Sequence, residues 1–143
     1  MKEYNTAFFN LYETWFKVLK SAMDEEKALM LFKKVMETML ESAYGSDFDK
    51  GYPHEFIRMV SVRDNNVGVK VSFSEINDCQ FVYIFHTDVF PNLKGHVDPI
   101  MLIDTYISFK VSYLLGDDWS YKTLNHIWNG DECTEILIFK DQD

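Results

Sequence analysis

Two apolar stripes with helical spacing, one directly after the other, are the feature that most constrains the fold of this chain. Apolar residues recur every three or four positions over Tyr4–Ala22 and again between Asp24 and Gly45, the spacing of the face that an amphipathic helix buries. Asp24 is a typical N-cap, and Gly45 is typical of the position just beyond a helix end. Two helices joined this closely are expected to pack as an antiparallel hairpin. The two apolar faces contain Phe8, Leu11, Tyr12, Trp15, Val18, Leu19 and Ala22, and then Ala28, Leu31, Phe32, Val35, Met36, Met39, Leu40 and Ala43.

A first β-hairpin is predicted after a polar loop that follows these helices. Phe56–Arg63 and Val67–Phe73 are rich in Val, Ile and Phe, and the Asp64-Asn65-Asn66 segment between them suits a tight turn. The next apolar run, Cys79–Phe85, lies in a stretch from Asn77 to Pro91 that periodicity cannot assign as helix or strand.

A long helix and a second hairpin are predicted in the C-terminal part. Asp98 as N-cap, Pro99 at the first helical position and Gly116 beyond the end bracket the helix. Tyr121–Trp128 and Cys133–Phe139 flank a turn at residues 129–132 and complete the hairpin. The sequence therefore predicts an α+β fold, in which an antiparallel sheet of two hairpins packs against an N-terminal helical hairpin and a third long helix.

Length and charge narrow the function classes. The chain has 143 residues and a net charge of −9, so we expect one domain spanning residues 1–143 and no binding of nucleic acid or of an anionic membrane surface. No segment has the pattern of a signal peptide or a membrane span, and the two cysteines suit no disulfide framework. A cytoplasmic protein is expected. No glycine-rich phosphate loop or metal motif is present, and we expect no cofactor.

The last hairpin carries the candidate catalytic residues Cys133, His126 and Glu135. Depending on the register of the two strands, a thiol, an imidazole and a carboxylate would converge there, as nucleophilic catalysis requires. The alternative is that Cys133 is a small buried residue, while His126 and Glu135 face solvent or form a cross-strand pair.

Two histidines and two aspartates close in sequence are the candidate metal ligands. They are His86, Asp88, His96 and Asp98. Their spacing matches no known metal motif, and polar residues are common in loops. We therefore predict no metal site.

Two segments carry a resemblance to known families. LNHIWNGDECTEILIF, at Leu124–Phe139, resembles the closing hairpin of 4-vinyl reductase-like domains and is similar to that of L-2-amino-thiazoline-4-carboxylic acid hydrolase-like proteins. Gly130, Asp131 and Cys133 match the Gly-Asp turn and following cysteine of both families. SEINDCQFVYIF resembles an earlier strand end of the hydrolase-like proteins, with Cys79 at the matching position. The order of predicted elements also agrees.

The resemblance implies a ligand-binding α+β domain with an apolar pocket between helices and sheet, and a homodimer formed through helices. An aromatic content of 16% suits such a pocket. We therefore predict a small-molecule-binding domain. One alternative is a hydrolase of a small cyclic amidine or carboxylate, with Cys133 as nucleophile or orienting thiol, His126 as base and Glu135 orienting the imidazole. The other is a helix-mediated interaction module. The predicted ligand contacts are Cys79, Phe81, Tyr83, Tyr106 and Trp128.

Overall fold

In the computed structural model, which describes residues 2–142, four α-helices accompany one four-stranded antiparallel sheet. The predicted α+β class is confirmed. The helices are α1 (Thr6–Ala22), α2 (Glu25–Tyr44), α3 (Pro53–Asn66) and α4 (Pro99–Leu114), and the strands are β1 (Val71–Asn77), β2 (Gln80–Phe85), β3 (Trp119–Asn125) and β4 (Thr134–Lys140). Two short 3-10 helices lie at Pro91–Leu93 and Ile127–Asn129.

The predicted helix boundaries at Asp24, Gly45 and Asp98 are confirmed. The Asp24 carboxylate accepts a hydrogen bond from the Lys27 amide at 2.8 Å, and Gly45 ends α2 with φ 64°. The Asp98 carboxylate accepts from the first amides of α4, including that of Ile100 at 2.9 Å. These side chains satisfy amide groups that have no partner within the helix.

The strand predicted at Phe56–Arg63 is wrong, because this segment belongs to helix α3. Pro53 starts the helix, and Phe56, Val60 and Asp64 recur at the four-residue spacing of one buried helix face. β-Branched residues within the segment favour a strand locally, but burial of this face overrides that preference. Asp64, Asn65 and Asn66 consequently form the last turn of α3 rather than a hairpin turn.

The strand predicted at Val67–Phe73 begins later than expected. Strand β1 starts at Val71, and the residues before it form a turn in which Gly68 has φ 76°. The N-terminal segment packs against this turn: the Asn5 amide donates to the Val67 carbonyl at 3.0 Å. A Cβ atom on Gly68 would lie 2.0 Å from the Glu3 carbonyl oxygen. Only glycine therefore fits at this position.

The unassigned apolar run after Cys79 is strand β2, at the centre of the sheet. The strand order is β1-β2-β4-β3, so the two hairpins join where β2 pairs antiparallel with β4. Within β2–β4 the register pairs Tyr83 with Ile136 and Phe85 with Thr134.

The two faces of the sheet differ in their surroundings. The core face carries alternate buried residues, including Phe81, Tyr83 and Phe85 of β2, and packs against the helices. Residues of the other face, here called the outer face, are mostly half-buried or exposed. They include Ser72, Ile84, His86, Cys133, Glu135 and Leu137. Because side chains alternate along a strand, β2 contributes to both environments.

Within residues 2–142, no helix combines the length and the apolar character that crossing a bilayer requires.

Candidate functional site

Three polar side chains from three different elements meet in the core between the helices and the sheet. They are Asp64 in the last turn of α3, Tyr83 at the centre of β2 and Lys110 of α4, here called the core cluster. Lys110 and Asp64 are only 3% and 5% exposed. The Lys110 Nζ atom lies 3.1 Å from the Tyr83 hydroxyl oxygen, to which it donates, and 3.6 Å from Asp64 Oδ1. The Tyr83 hydroxyl in turn donates to Asp64 Oδ2.

Local structure fixes each member of the core cluster. The Asp64 carbonyl accepts from the amides of Val67 and Val69, so the chain leaving α3 holds Asp64 in place. Tyr83 faces the core because it alternates with outward residues along β2. Lys110 lies one helical turn from Tyr106 and Leu114, which are both buried, and therefore points into the core as well.

The electrostatics of the core cluster are those of a buried ion pair. Burial lowers the pKa of Lys110, and the nearby Asp64 carboxylate opposes that change. Burial and the Asp64 charge together raise the pKa of Tyr83 well above its ordinary value. The Lys110 Nζ atom also lies 5.3 Å from the Tyr83 ring centre, 5.7 Å from that of Phe85 and 5.6 Å from that of Tyr106. Aromatic faces stabilise a desolvated ammonium group.

A cavity lies beside the core cluster and opens between α1, α2 and the end of α3. Its volume is about 50 Å³, several times the roughly 10–15 Å³ that admits one water molecule. Lys110 and Asp64 line its buried end, while the half-buried Phe8, Met36 and Arg63 lie nearer the surface. The remaining lining residues are Phe9, Tyr12, Met39, Leu40, Val67, Val69, Phe85, Val89, Phe90 and Tyr106.

The outer end of this cavity carries a second cationic group. The Arg63 guanidinium lies over the Phe8 ring, 5.2 Å from its centre. The cavity lining therefore combines the Lys110–Asp64 ion pair, the Arg63 cation and apolar walls. Such a shape suits a molecule with an apolar body and a polar or negatively charged end.

In contrast to the core cluster, a tyrosine hydroxyl at the end of α2 has no hydrogen-bond partner within residues 2–142. This is the buried hydroxyl of Tyr44. Burial, followed by the Asp64 charge, raises the pKa of Tyr44 well above its ordinary value. Native proteins rarely leave a buried polar group unpaired.

The predicted ligand contacts lie in three different places. Tyr83 belongs to the core cluster, Tyr106 lines the cavity, and Phe81 is fully buried next to Phe56 in the core. Cys79 lies in the exposed turn between β1 and β2, outside the cavity. Trp128 lies in a separate cluster near the last hairpin.

That separate cluster contains Asp88, His126 and Trp128. The Trp128 indole donates to both oxygens of the Asp88 carboxylate, at 2.9 and 3.0 Å. His126 Nδ1 accepts a hydrogen bond from the Trp128 amide at 3.0 Å. Burial raises the pKa of Asp88 and lowers the pKa of His126. By accepting this hydrogen bond, the His126 side chain caps the N-terminus of the 3-10 helix Ile127–Asn129.

The three predicted catalytic residues do not converge. The Cys133 sulfur atom contacts Nδ1 of His86 at 3.3 Å, and Nε2 of His86 lies 2.7 Å from the Ser72 hydroxyl. We call these three residues the outer-face chain. His126 instead is buried beside Trp128, and Glu135 accepts from the Asn125 amide group at 2.9 Å. The reason is the register, which places Cys133 next to His86 on the outer face.

Within the described part of the chain, no group of three or more His, Cys, Asp or Glu side chains converges in a way that would hold a metal ion.

Sequence reasoning missed Lys110 and Asp64 as candidate site residues, and it named His86 only as a candidate metal ligand. Lys110 carries a recognisable signal, because it is a lysine within the apolar, largely buried face of α4. Asp64 was assigned to a turn, and its partners come from distant elements. No local pattern indicates that pairing.

Comparison with protein-family models and with curated proteins finds no match. The resemblance described above therefore stays a prediction, and the function has to be argued from the geometry of the site.

Proposed function

We propose that this protein binds a small molecule with an apolar body in the cavity beside the core cluster. The observation that carries the proposal is an apolar, aromatic cavity that ends on the buried Lys110–Asp64 pair. Ligand sites in proteins have this character, with apolar walls and a few polar groups that fix orientation. The polar end of the ligand would lie toward Lys110.

Titration with butan-1-ol, followed by two-dimensional amide NMR, tests the proposal. We expect saturable shifts concentrated at cavity residues such as Val67, Phe85 and Tyr106. Val67→Phe fills the cavity and should abolish the shifts. Ile84→Phe also introduces a phenyl ring, but on the outer face of the sheet, and should leave the shifts unchanged.

Shifts that do not saturate, or that are equal in wild type and Val67→Phe, would contradict binding in this cavity. Thermal unfolding without ligand shows whether each variant is folded before it is compared. If Val67→Phe does not fold, Leu40→Phe fills the same space from α2.

We propose that the protein forms a homodimer through α1 and α2. Helices α1 and α2 flank an apolar groove of about 590 Å³ with exposed side chains that include Leu11, Trp15 and Leu31. The same patch on two copies can meet about a twofold axis. Light scattering during gel filtration should give a dimer mass for wild type and a monomer mass for Trp15→Glu. A monomeric wild type would contradict the dimer.

A hydrolase acting through Cys133 is the second candidate function. The observation in its favour is the outer-face chain, in which Cys133 would be the nucleophile, His86 the base in place of the predicted His126, and Ser72 the orienting group. Release of product from cyclic amidine substrates should disappear in Cys133→Ala and persist in Cys79→Ala. Persistence in Cys133→Ala would exclude this mechanism.

A further inference from the structure

We propose that Lys110 forms a reversible imine with a small apolar aldehyde or ketone that enters the cavity. This inference rests on the proposed small-molecule binding and specifies the ligand as a carbonyl compound. Lys110 Nζ supplies the amine, Asp64 transfers protons, and the Tyr83 hydroxyl holds both groups in position.

The geometry around Lys110 Nζ suits this reaction. The nitrogen lies 3.1 Å from the Tyr83 hydroxyl and 3.6 Å from Asp64 Oδ1, so a proton acceptor is next to the amine. Lys110 also lines the cavity, where apolar walls exclude water from an imine that water would hydrolyse. Desolvation in an apolar pocket is one of the ways in which lysine amines become nucleophilic, and burial lowers the pKa of Lys110.

The protons and the charge balance within the core cluster. The Lys110 ammonium gives one proton to Asp64, and the free amine attacks the carbonyl carbon. The carbonyl oxygen receives that proton and becomes the hydroxyl of a carbinolamine. A second nitrogen proton passes through Asp64 to this hydroxyl, the carbon–oxygen bond breaks, and water leaves.

The product keeps the buried charges paired. A protonated imine carries one positive charge, as the ammonium does, and remains beside the ionised Asp64 carboxylate. The buried pair is therefore preserved, which matters because an isolated buried charge is strongly unfavourable. The rings of Tyr83, Phe85 and Tyr106 that surround the ammonium would surround the imine as well.

The size and walls of the cavity select the carbonyl compound. The volume of about 50 Å³ is smaller than a four-carbon aldehyde, so binding requires the flexible Met36 and Met39 side chains to move outward, and each further carbon requires a larger movement. The walls carry no carboxylate other than Asp64. Short aliphatic aldehydes are therefore the preferred substrates, and butanal is a suitable probe.

Trapping with butanal and sodium cyanoborohydride at neutral pH tests the inference. The reductant converts the imine to a stable secondary amine, and peptide mass mapping locates the added butyl group. We expect several-fold more modification at Lys110 than at the exposed Lys122, which serves as the internal control. Unfolding the protein in urea should remove this preference.

The binding experiment with butan-1-ol, which cannot form an imine, separates the inference from the proposed function. If butan-1-ol shifts the cavity resonances but Lys110 is modified no more than Lys122, the imine is overturned and ligand binding stands. If butan-1-ol does not bind in the cavity, both fall.

Variants complete the test. Lys110→Arg keeps the charge and cannot form an imine, so labelling at this position should be lost while Lys122 labelling stays unchanged. If this variant does not fold, the pair Lys110→Met and Asp64→Asn removes both charges together. If the total butyl modification is the same in the variant as in the wild type, the assignment of the imine to Lys110 is overturned.

Discussion

The core cluster and the outer-face chain are two constellations of polar groups, both linked through strand β2. Tyr83 points to the core face, where helices cover it, and His86 lies just beyond the strand on the outer face. Both constellations contain a proton donor and a proton acceptor within hydrogen-bond distance. They differ in solvent access.

The comparison shows that burial or exposure to solvent determines how similar contacts affect stability and reactivity. In the core cluster, burial shifts the pKa values of Lys110 and Tyr83. In the outer-face chain, His86 is exposed and Cys133 is half-buried, so solvent screens their interaction. Interactions in the core are therefore expected to affect stability strongly, and those on the outer face mainly reactivity.

The largest effect is expected for Asp64→Asn. It leaves the Lys110 ammonium buried without a counter-charge, and breaking a buried pair in this way costs about 3–5 kcal/mol. Urea unfolding at neutral pH measures the loss. Asp118→Asn removes a carboxylate from an exposed pair with Lys140, which should cost no more than about 1 kcal/mol. Equal losses in the two variants would remove the contrast between core and surface.

A smaller loss of stability is expected for Tyr83→Phe. The ring stays, but the hydroxyl that donates to Asp64 and accepts from Lys110 is lost. Leaving such groups unsatisfied costs about 1–3 kcal/mol. Tyr113→Phe is the control, since the Tyr113 hydroxyl donates to the Gly45 carbonyl at the surface. An equal or greater loss in Tyr113→Phe, measured by the same urea unfolding, would contradict a special role for the Tyr83 hydroxyl.

On the outer face, His86→Phe should change reactivity rather than stability. We expect the free energy of unfolding to stay within about 0.5 kcal/mol, because the residue is exposed. Alkylation of Cys133 by iodoacetamide should slow several-fold, because the substitution removes the imidazole nitrogen that lies 3.3 Å from the Cys133 sulfur atom, and a neighbouring imidazole favours the reactive form of a thiol. Cys79, which lies outside the outer-face chain, is the reference thiol. An unchanged ratio of the two rates would show that His86 does not activate Cys133.

A pH-dependent effect is expected at Glu55, a carboxylate of α3 that pairs with Arg58 at 2.7 Å. The hydrogen bond from Arg58, followed by that from the Asp49 amide, lowers the pKa of Glu55 from 4.5 to about 2. Since the folded-state pKa is the lower one, the carboxylate stabilises the protein above pH 4.5 and loses this contribution as the pH falls to about 2.

Thermal unfolding of Glu55→Gln across this range provides the measurement. The variant should melt below wild type at neutral pH, by less than Asp64→Asn does, and the difference should shrink as the pH falls below 4.5. If the difference in melting temperature does not depend on pH, the Glu55 charge does not stabilise the protein through its contacts with Arg58 and the Asp49 amide.

Much of the fold could be predicted from local sequence. The helix boundaries at Asp24 and Asp98 follow from capping chemistry that operates within a few residues. Helix α3 could not be predicted in the same way, because Ile57, Val60 and Val62 favour a strand when tertiary contacts are ignored. The burial of Phe56 and Val60 against the sheet decides the outcome.

The candidate site was less accessible to sequence reasoning. Tyr83 and Tyr106 were named as ligand contacts because aromatic residues line pockets, and both lie close to Lys110. Lys110 has a local signal, since it lies on the buried face of α4, but its pairing with Asp64 from a distant helix has none. Contacts of this kind depend on the tertiary structure and leave no local spacing to detect.

The close approach of the N-terminal segment to Gly68 has a kinetic consequence. This segment is fastened to two cavity residues, since the Asn5 amide donates to the Val67 carbonyl and the Tyr4 hydroxyl donates to the Val89 carbonyl at 2.8 Å. Exposed segments with few buried contacts open locally more often than whole domains unfold, and Glu3 and Asn5 are exposed. Local opening of residues 3–5 would release both wall residues at once. Exchange of molecules with the cavity is therefore expected to follow the opening rate of this segment, which hydrogen exchange at the Asn5 amide reports.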